Sequence, residues 1–194
     1  MISMIKKISN KIKVKEIVSM RDYIVDNYME FSQEWLKEDE KILVSAENVA
    51  HPVLDEARSL SNALVGASCQ NSEIFAITCE SGFLDDELDV YSLDGSYEDL
   101  MELSIVFSPF NFLLFPSNLK AAVLLLYTHD VKFLAGDQAF IDAYGGTRYD
   151  LRIKFKDFVN SQQKIAPDVV DYTSNLRWAY LKMGIDDLDD YPYD

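Results

Sequence analysis

The sequence predicts an α+β fold: a single domain on a mostly antiparallel sheet, with N-terminal and C-terminal helices packed on it. Three observations support this. With 48% hydrophobic and 12% aromatic residues, a chain of 194 residues can bury one sizeable core and offset its ordering entropy. Short apolar runs bounded by turn residues, such as residues 74–79 and 123–128, read as strands. Towards both ends the apolar residues instead recur at helical spacing. No internal repeat or low-complexity linker divides the chain.

Residues 16–39 place Ile17, Ile24, Tyr28, Phe31 and Trp35 at spacings of seven, four, three and four, with acids largely elsewhere. That pattern predicts one amphipathic helix with an acidic outer face. The basic leader, residues 1–15, has Ile5, Ile8 and Ile12 at helical spacing, so it extends that helix or forms a second one. Its lysines suit the solvated side of a helix packed on an acidic body; a membrane-surface role is the other reading. Residues 42–44 predict a short strand. Pro52, Leu54, Ala57, Leu60 and Leu64 predict a helix that Gly66 ends.

Residues 74–79 and 88–93 read as strands, with Asp94-Gly95 as a turn signal. A helical turn over 97–102 precedes the apolar run 103–107, and Phe110, Phe112, Leu113, Leu114 and Phe115 lie buried or partly buried between Pro109 and Pro116. Residues 123–128 and 131–135 predict a strand pair about a His129-Asp130 turn. Asp137 is a good N-cap for a helix through Ala139, Phe140, Ile141 and Tyr144 that Gly145 closes. From Tyr149 to Lys156, apolar and polar residues alternate, which favours an edge strand over a helix. Pro167, Val170, Ser174, Trp178 and Leu181 predict a last helix stopped by Gly184, so the domain spans 16–184 and leaves an acidic tail, 185–194.

Charge is unevenly spread. The net charge of −15 divides into +5 over 1–15, −7 over 16–58, −10 over 59–119 and −3 over 120–194. Residues 59–119 contain no lysine or arginine, and nine of their ten acids lie between Glu80 and Glu102. Such a surface repels polyanions and attracts basic partners, so nucleic acid is excluded as its ligand. The candidate partner-binding residues are Asp85, Asp86, Glu87, Asp89, Asp94, Glu98 and Asp99, together with Asp186, Asp187, Asp189, Asp190, Tyr191 and Tyr193 of the tail. Closely spaced carboxylates imitate a phosphate ladder, and tyrosines serve as low-entropy anchors.

No motif specifies a reaction, so no catalytic residue is assigned and no cofactor is expected. Two histidines, His51 and His129, cannot build a three-histidine centre, and no Cys-x-x-Cys or His-x-x-x-His spacing exists. The run Asp85, Asp86, Glu87, Asp89 fails the EF-hand template because Val90 stands where the loop needs glycine. Cys69 and Cys79 read as packing residues of a reduced, cytoplasmic chain. The leader lacks the apolar region of a secretory signal, and residues 110–127 are interrupted well short of the roughly 20 apolar residues that span a bilayer. No membrane partner is expected. Arg148, Arg152, Lys154 and Lys156 form the one basic patch, read as an internal salt-bridging or anti-aggregation feature.

Residues 123–145, a strand, hairpin and strand ending in Ala-Gly-Asp and followed by a Phe-Ile helix, stand in a small, acidic, aromatic-rich domain without catalytic motifs. This style resembles the immunity proteins of bacterial toxin and contact-dependent growth inhibition systems. The resemblance implies a cytoplasmic inhibitor that binds a cognate toxin domain, often a basic nuclease, and assigns no role to any residue. The charge asymmetry independently predicts a protein that neutralises a basic partner. Two other classes stay open: a small metal-dependent enzyme using carboxylates alone, which divalent ions would stabilise, and a nucleic-acid-mimicking decoy for which several basic proteins would compete.

Overall fold

The structure, a computed structural model, describes residues 5–27, 29–48, 54–66, 69–80, 88–107, 110–165 and 179. It is α+β, with helices packed on a seven-stranded antiparallel sheet. The strands are β1 (Lys6–Lys7), β4 (Ile42–Glu47), β5 (Ile74–Thr78), β6 (Val90–Leu93), β7 (Phe112–Pro116), β8 (Ala122–Leu126) and β9 (Val131–Gly136). Their spatial order is β1-β6-β5-β7-β8-β9-β4. A separate two-stranded ribbon joins β2 (Val25–Asp26) to β3 (Glu30–Phe31). The helices are α1 (Lys11–Ile24), α2 (Gln33–Lys37), α3 (Leu54–Leu64), α4 (Tyr97–Phe107), α5 (Gln138–Gly145) and α6 (Arg148–Ile165).

Every residue of β5, β7, β8 and β9 is buried, because helices cover both faces of the sheet. This explains why those strands read as continuous apolar runs without alternation. On one face lie α1 and α2: Lys13 of α1 sits over the Phe75 ring at 5.2 Å, and the Trp35 indole N–H donates to the Leu119 carbonyl at 3.1 Å. On the other lie α3, α4 and α5, where Phe107 of α4 stacks on Phe112 at 4.7 Å and Phe112 on Tyr127 at 6.0 Å. Helix α6 packs along β4, the edge strand.

Several expected elements differ. The predicted helix over 16–39 is broken. Helix α1 begins earlier, at Lys11, where the Asn10 side chain accepts the Ile12 and Lys13 amides, and it ends at Val25, whose backbone is extended. Asn27, at φ 51°, turns the ribbon, and Ser32 caps α2 anew. The apolar spacing survives the break because Ile17 and Ile24 of α1 and Phe31 and Trp35 beyond it all reach the core; Tyr28 lies outside the described residues. Within the basic leader, Lys6–Lys7 of β1 pair with β6, and α1 runs through the expected boundary at residue 15.

Residues 97–107 form one helix, and residues 149–156 belong to α6 and not to an edge strand. In α6 the buried positions are Leu151, Phe155 and Val159, four apart, while Tyr149 and Ile153 are exposed, so the helical period decides the segment. Its start is a reciprocal cap. The Thr147 amide donates to Asp150 at 3.0 Å, and the Asp150 amide donates to the Thr147 hydroxyl at 3.2 Å. Of the predicted C-terminal helix, residue 179 is described: it is helical and buried, and its carbonyl accepts a 2.7 Å bond from the Ser45 hydroxyl of β4.

Candidate functional site

Helix α4 positions the acidic segment. Its inner side buries Leu100, Leu103 and Phe107 against the sheet. Its outer side carries Glu98, Met101, Glu102, Ile105 and Val106, neighbours three and four apart, and Phe110 follows just beyond the helix. Ile105 is 75% exposed, and Met101, Val106 and Phe110 are exposed beside it. An outward helix face usually carries polar residues; this one is an apolar ridge flanked by carboxylates, in a stretch that holds no cation from 59 to 119.

The predicted partner-binding residues divide between several environments. Asp94 is exposed and Glu98 partly so, at the start of α4. Asp89 is ion-paired with Lys7 of β1, so the leader neutralises part of the acidic edge. Lys13 does the same for Glu73 at 2.6 Å, and the Ser92 hydroxyl donates to the same carboxylate; together these hold the Glu73 carboxyl below its ordinary value, the Lys13 bond contributing most. Asp99 corrects the expectation of a contact residue. It is 1% exposed and accepts the Asp94 amide at 3.2 Å, so it holds the turn into α4 and offers no surface to a partner. Asp85, Asp86, Glu87 and the tail residues Asp186, Asp187, Asp189, Asp190, Tyr191 and Tyr193 lie outside the described residues.

The apolar members of the ridge were not singled out from sequence. Their signal is the helical period over 97–107, which is hidden when 103–107 is taken as an apolar run separate from the helical turn before it.

A second feature is a cavity of about 380 Å³ bounded by β4, β9, α3, α5 and α6. Lys132 is 1% exposed, on a central stretch of β9 opposite Ala46 and Leu125. Its ammonium contacts the Glu56 carboxylate of α3 and lies 5.8 Å from the centre of the Tyr144 ring. Burial lowers the Lys132 amine from the ordinary lysine value, and the Glu47 carboxylate opposes the shift. Burial raises the Tyr144 phenol, with Glu47 adding to the effect.

The thiols fit the packing role expected of them. Cys69 and Cys79 are buried, and desolvation pushes both up to about 12, far from a nucleophilic thiolate. His129 is partly buried, and burial lowers its imidazole. Among the described residues, no group of three or more His, Cys, Asp and Glu could hold a metal ion, and no helix is long and apolar enough to cross a membrane.

No known family model, curated protein or solved structure matches this chain.

Proposed function

We propose that this chain is a binding protein that neutralises a basic protein partner, in the manner of an immunity protein acting on a nuclease toxin, and that it docks through the outer face of α4. The observation that carries the reading is the exposed ridge of Met101, Ile105, Val106 and Phe110 set beside Glu98 and Glu102, within 61 residues that contain no lysine or arginine. Exposed apolar side chains on a helix cost solvation unless a partner covers them, and surrounding carboxylates select a partner of opposite charge. The ridge would supply the desolvated centre that slows dissociation, and the carboxylates would steer encounter and form the rim. The ion pairs of Lys7 and Lys13 engage Asp89 and Glu73 rather than Glu98 or Glu102, while Arg58 of α3 lies 5.6 Å from the Tyr97 ring at the start of α4.

The test is affinity capture with the tagged full chain from the native organism at low and moderate salt, with bound protein identified by mass. The expected result is one basic protein in stoichiometric amount, whose association rate falls at least tenfold between 50 and 500 mM salt. An acidic partner, or association insensitive to salt, would contradict the proposal.

A further inference from the structure

The cavity between β4, β9, α3, α5 and α6 takes none of its lining from α4, so it stands apart from the proposed docking face. At about 380 Å³ it lies within the range of ligand pockets. Tyr144 is nine-tenths buried and lines it, yet among the described residues its hydroxyl makes no hydrogen bond. A phenol held inside a protein ordinarily finds a partner, so this one is set to meet a polar atom that enters the cavity. Residue 179 does not fill that role. Its carbonyl is taken by Ser45, which points to the opposite face of β4 from Ala46, and Ala46 is the residue that lines the cavity.

The charges of the lining balance, and that balance defines the ligand. Inside, the Lys132 ammonium contacts the Glu56 carboxylate. At the rim, Asp55 is ion-paired with Arg58 at 3.8 Å. Two exposed side chains of opposite sign then line the cavity from different elements. Glu47, at the end of β4, makes no hydrogen bond or ion pair among the described residues. Lys154 of α6 donates to the Gly145 carbonyl at 3.1 Å, a neutral acceptor that engages one of its N–H groups and leaves its charge uncancelled. A simple cation would meet Lys154, and a simple anion would meet Glu47. A molecule with an ammonium and a carboxylate on one centre satisfies both. The Phe155 and Phe158 rings, 5.8 Å apart, offer an apolar wall to the substituent on that centre.

We propose that this cavity binds a zwitterion, a free α-amino acid with an apolar side chain. Its ammonium donates to Glu47, its carboxylate accepts from Lys154 and from the Tyr144 hydroxyl, and its side chain lies against Phe155 and Phe158.

Calorimetric titration of the full chain with phenylalanine tests the site, at about pH 6, below the ordinary α-amino value near 7.7. Phenylalaninamide is the ligand that lacks the carboxylate, and N-acetylphenylalanine the one that lacks the ammonium. Saturable one-to-one binding of phenylalanine is expected, tighter than that of either derivative by about tenfold, the order of one charged hydrogen bond. Lys154→Gln should remove the preference over phenylalaninamide and keep the preference over N-acetylphenylalanine; Glu47→Gln should do the reverse. Both side chains are exposed, so neither substitution should shift the melting temperature. Tyr144→Phe should weaken phenylalanine binding several-fold. Absence of saturable binding, a derivative that binds as tightly as phenylalanine, or preferences that the two substitutions leave unaltered would each overturn the assignment.

Discussion

At the scale of single residues, burial decides what each ionisable group can do. Cys69 and Cys79 keep their protons because a thiolate would be desolvated, and with values near 12 neither reacts at pH 8 in the folded protein. A disulfide-exchange reagent should therefore label neither thiol natively and both in denaturant; labelling of the folded chain at the rate of a free thiol would contradict this. Lys132 shows the converse problem, a cation placed in a core where Glu56 is its countercharge. Lys132→Met alone should cost about 3–5 kcal/mol in urea denaturation, because it strands the Glu56 carboxylate, while Lys132→Met with Glu56→Leu should recover most of the loss. A single substitution as mild as the double one would show that the pair contributes nothing to the fold. The packing role of the two thiols was legible from sequence; that of Lys132 was not, because it reads as one polar residue in an apolar strand and only the placement of α3 reveals its partner.

At the scale of elements, the strands were the legible part, since β5, β8 and β9 are short, apolar and bounded by turns such as Asp130 at φ 52°. The strand order was not legible, because β4, which ends 84 residues before β9 begins, closes the sheet beside it and nothing local encodes that pairing. Helix α6 was misread for a definable reason. Tyr149 and Ile153 mimic the inward positions of a strand, yet both face solvent, and the true inward set is Leu151, Phe155 and Val159. That misreading also concealed the cavity, whose aromatic wall α6 supplies. Phe155→Ala should destabilise the fold by about 3–5 kcal/mol and Tyr149→Ser by no more than about 0.5, in chemical denaturation; an edge strand would reverse the exposed residue's tolerance. The docking of α1 depends on pH through Glu73. Its folded carboxyl lies below the unfolded value, so the Lys13 pair stabilises fully above the unfolded value and loses its contribution as pH falls through the folded one. Lys13→Met should therefore flatten the fall in stability between about pH 5 and pH 3, the window that ordinary glutamate values near 4.3 define; an unchanged slope would remove Glu73 from the account.

At the scale of the whole molecule, an acidic body is partly neutralised by its own N-terminal lysines on one sheet edge, and the α4 face is left both acidic and apolar. In the proposed complex, the net charge of −15 would favour encounter with a basic protein over a wide area, and the ridge would confine tight contact to one helix. The charge asymmetry was legible in the sequence. Its focus was not, because Ile105 looks like core until α4 is seen to turn it outward. The measurement that tests the docking face most directly compares capture of the basic partner by the wild-type chain and by a chain carrying Glu98→Lys, Glu102→Lys and Ile105→Lys, all at low salt and with equal melting temperatures checked. The account predicts that the wild type retains the partner stoichiometrically and the substituted chain loses it by at least a hundredfold in affinity. Undiminished capture by the substituted chain would contradict it.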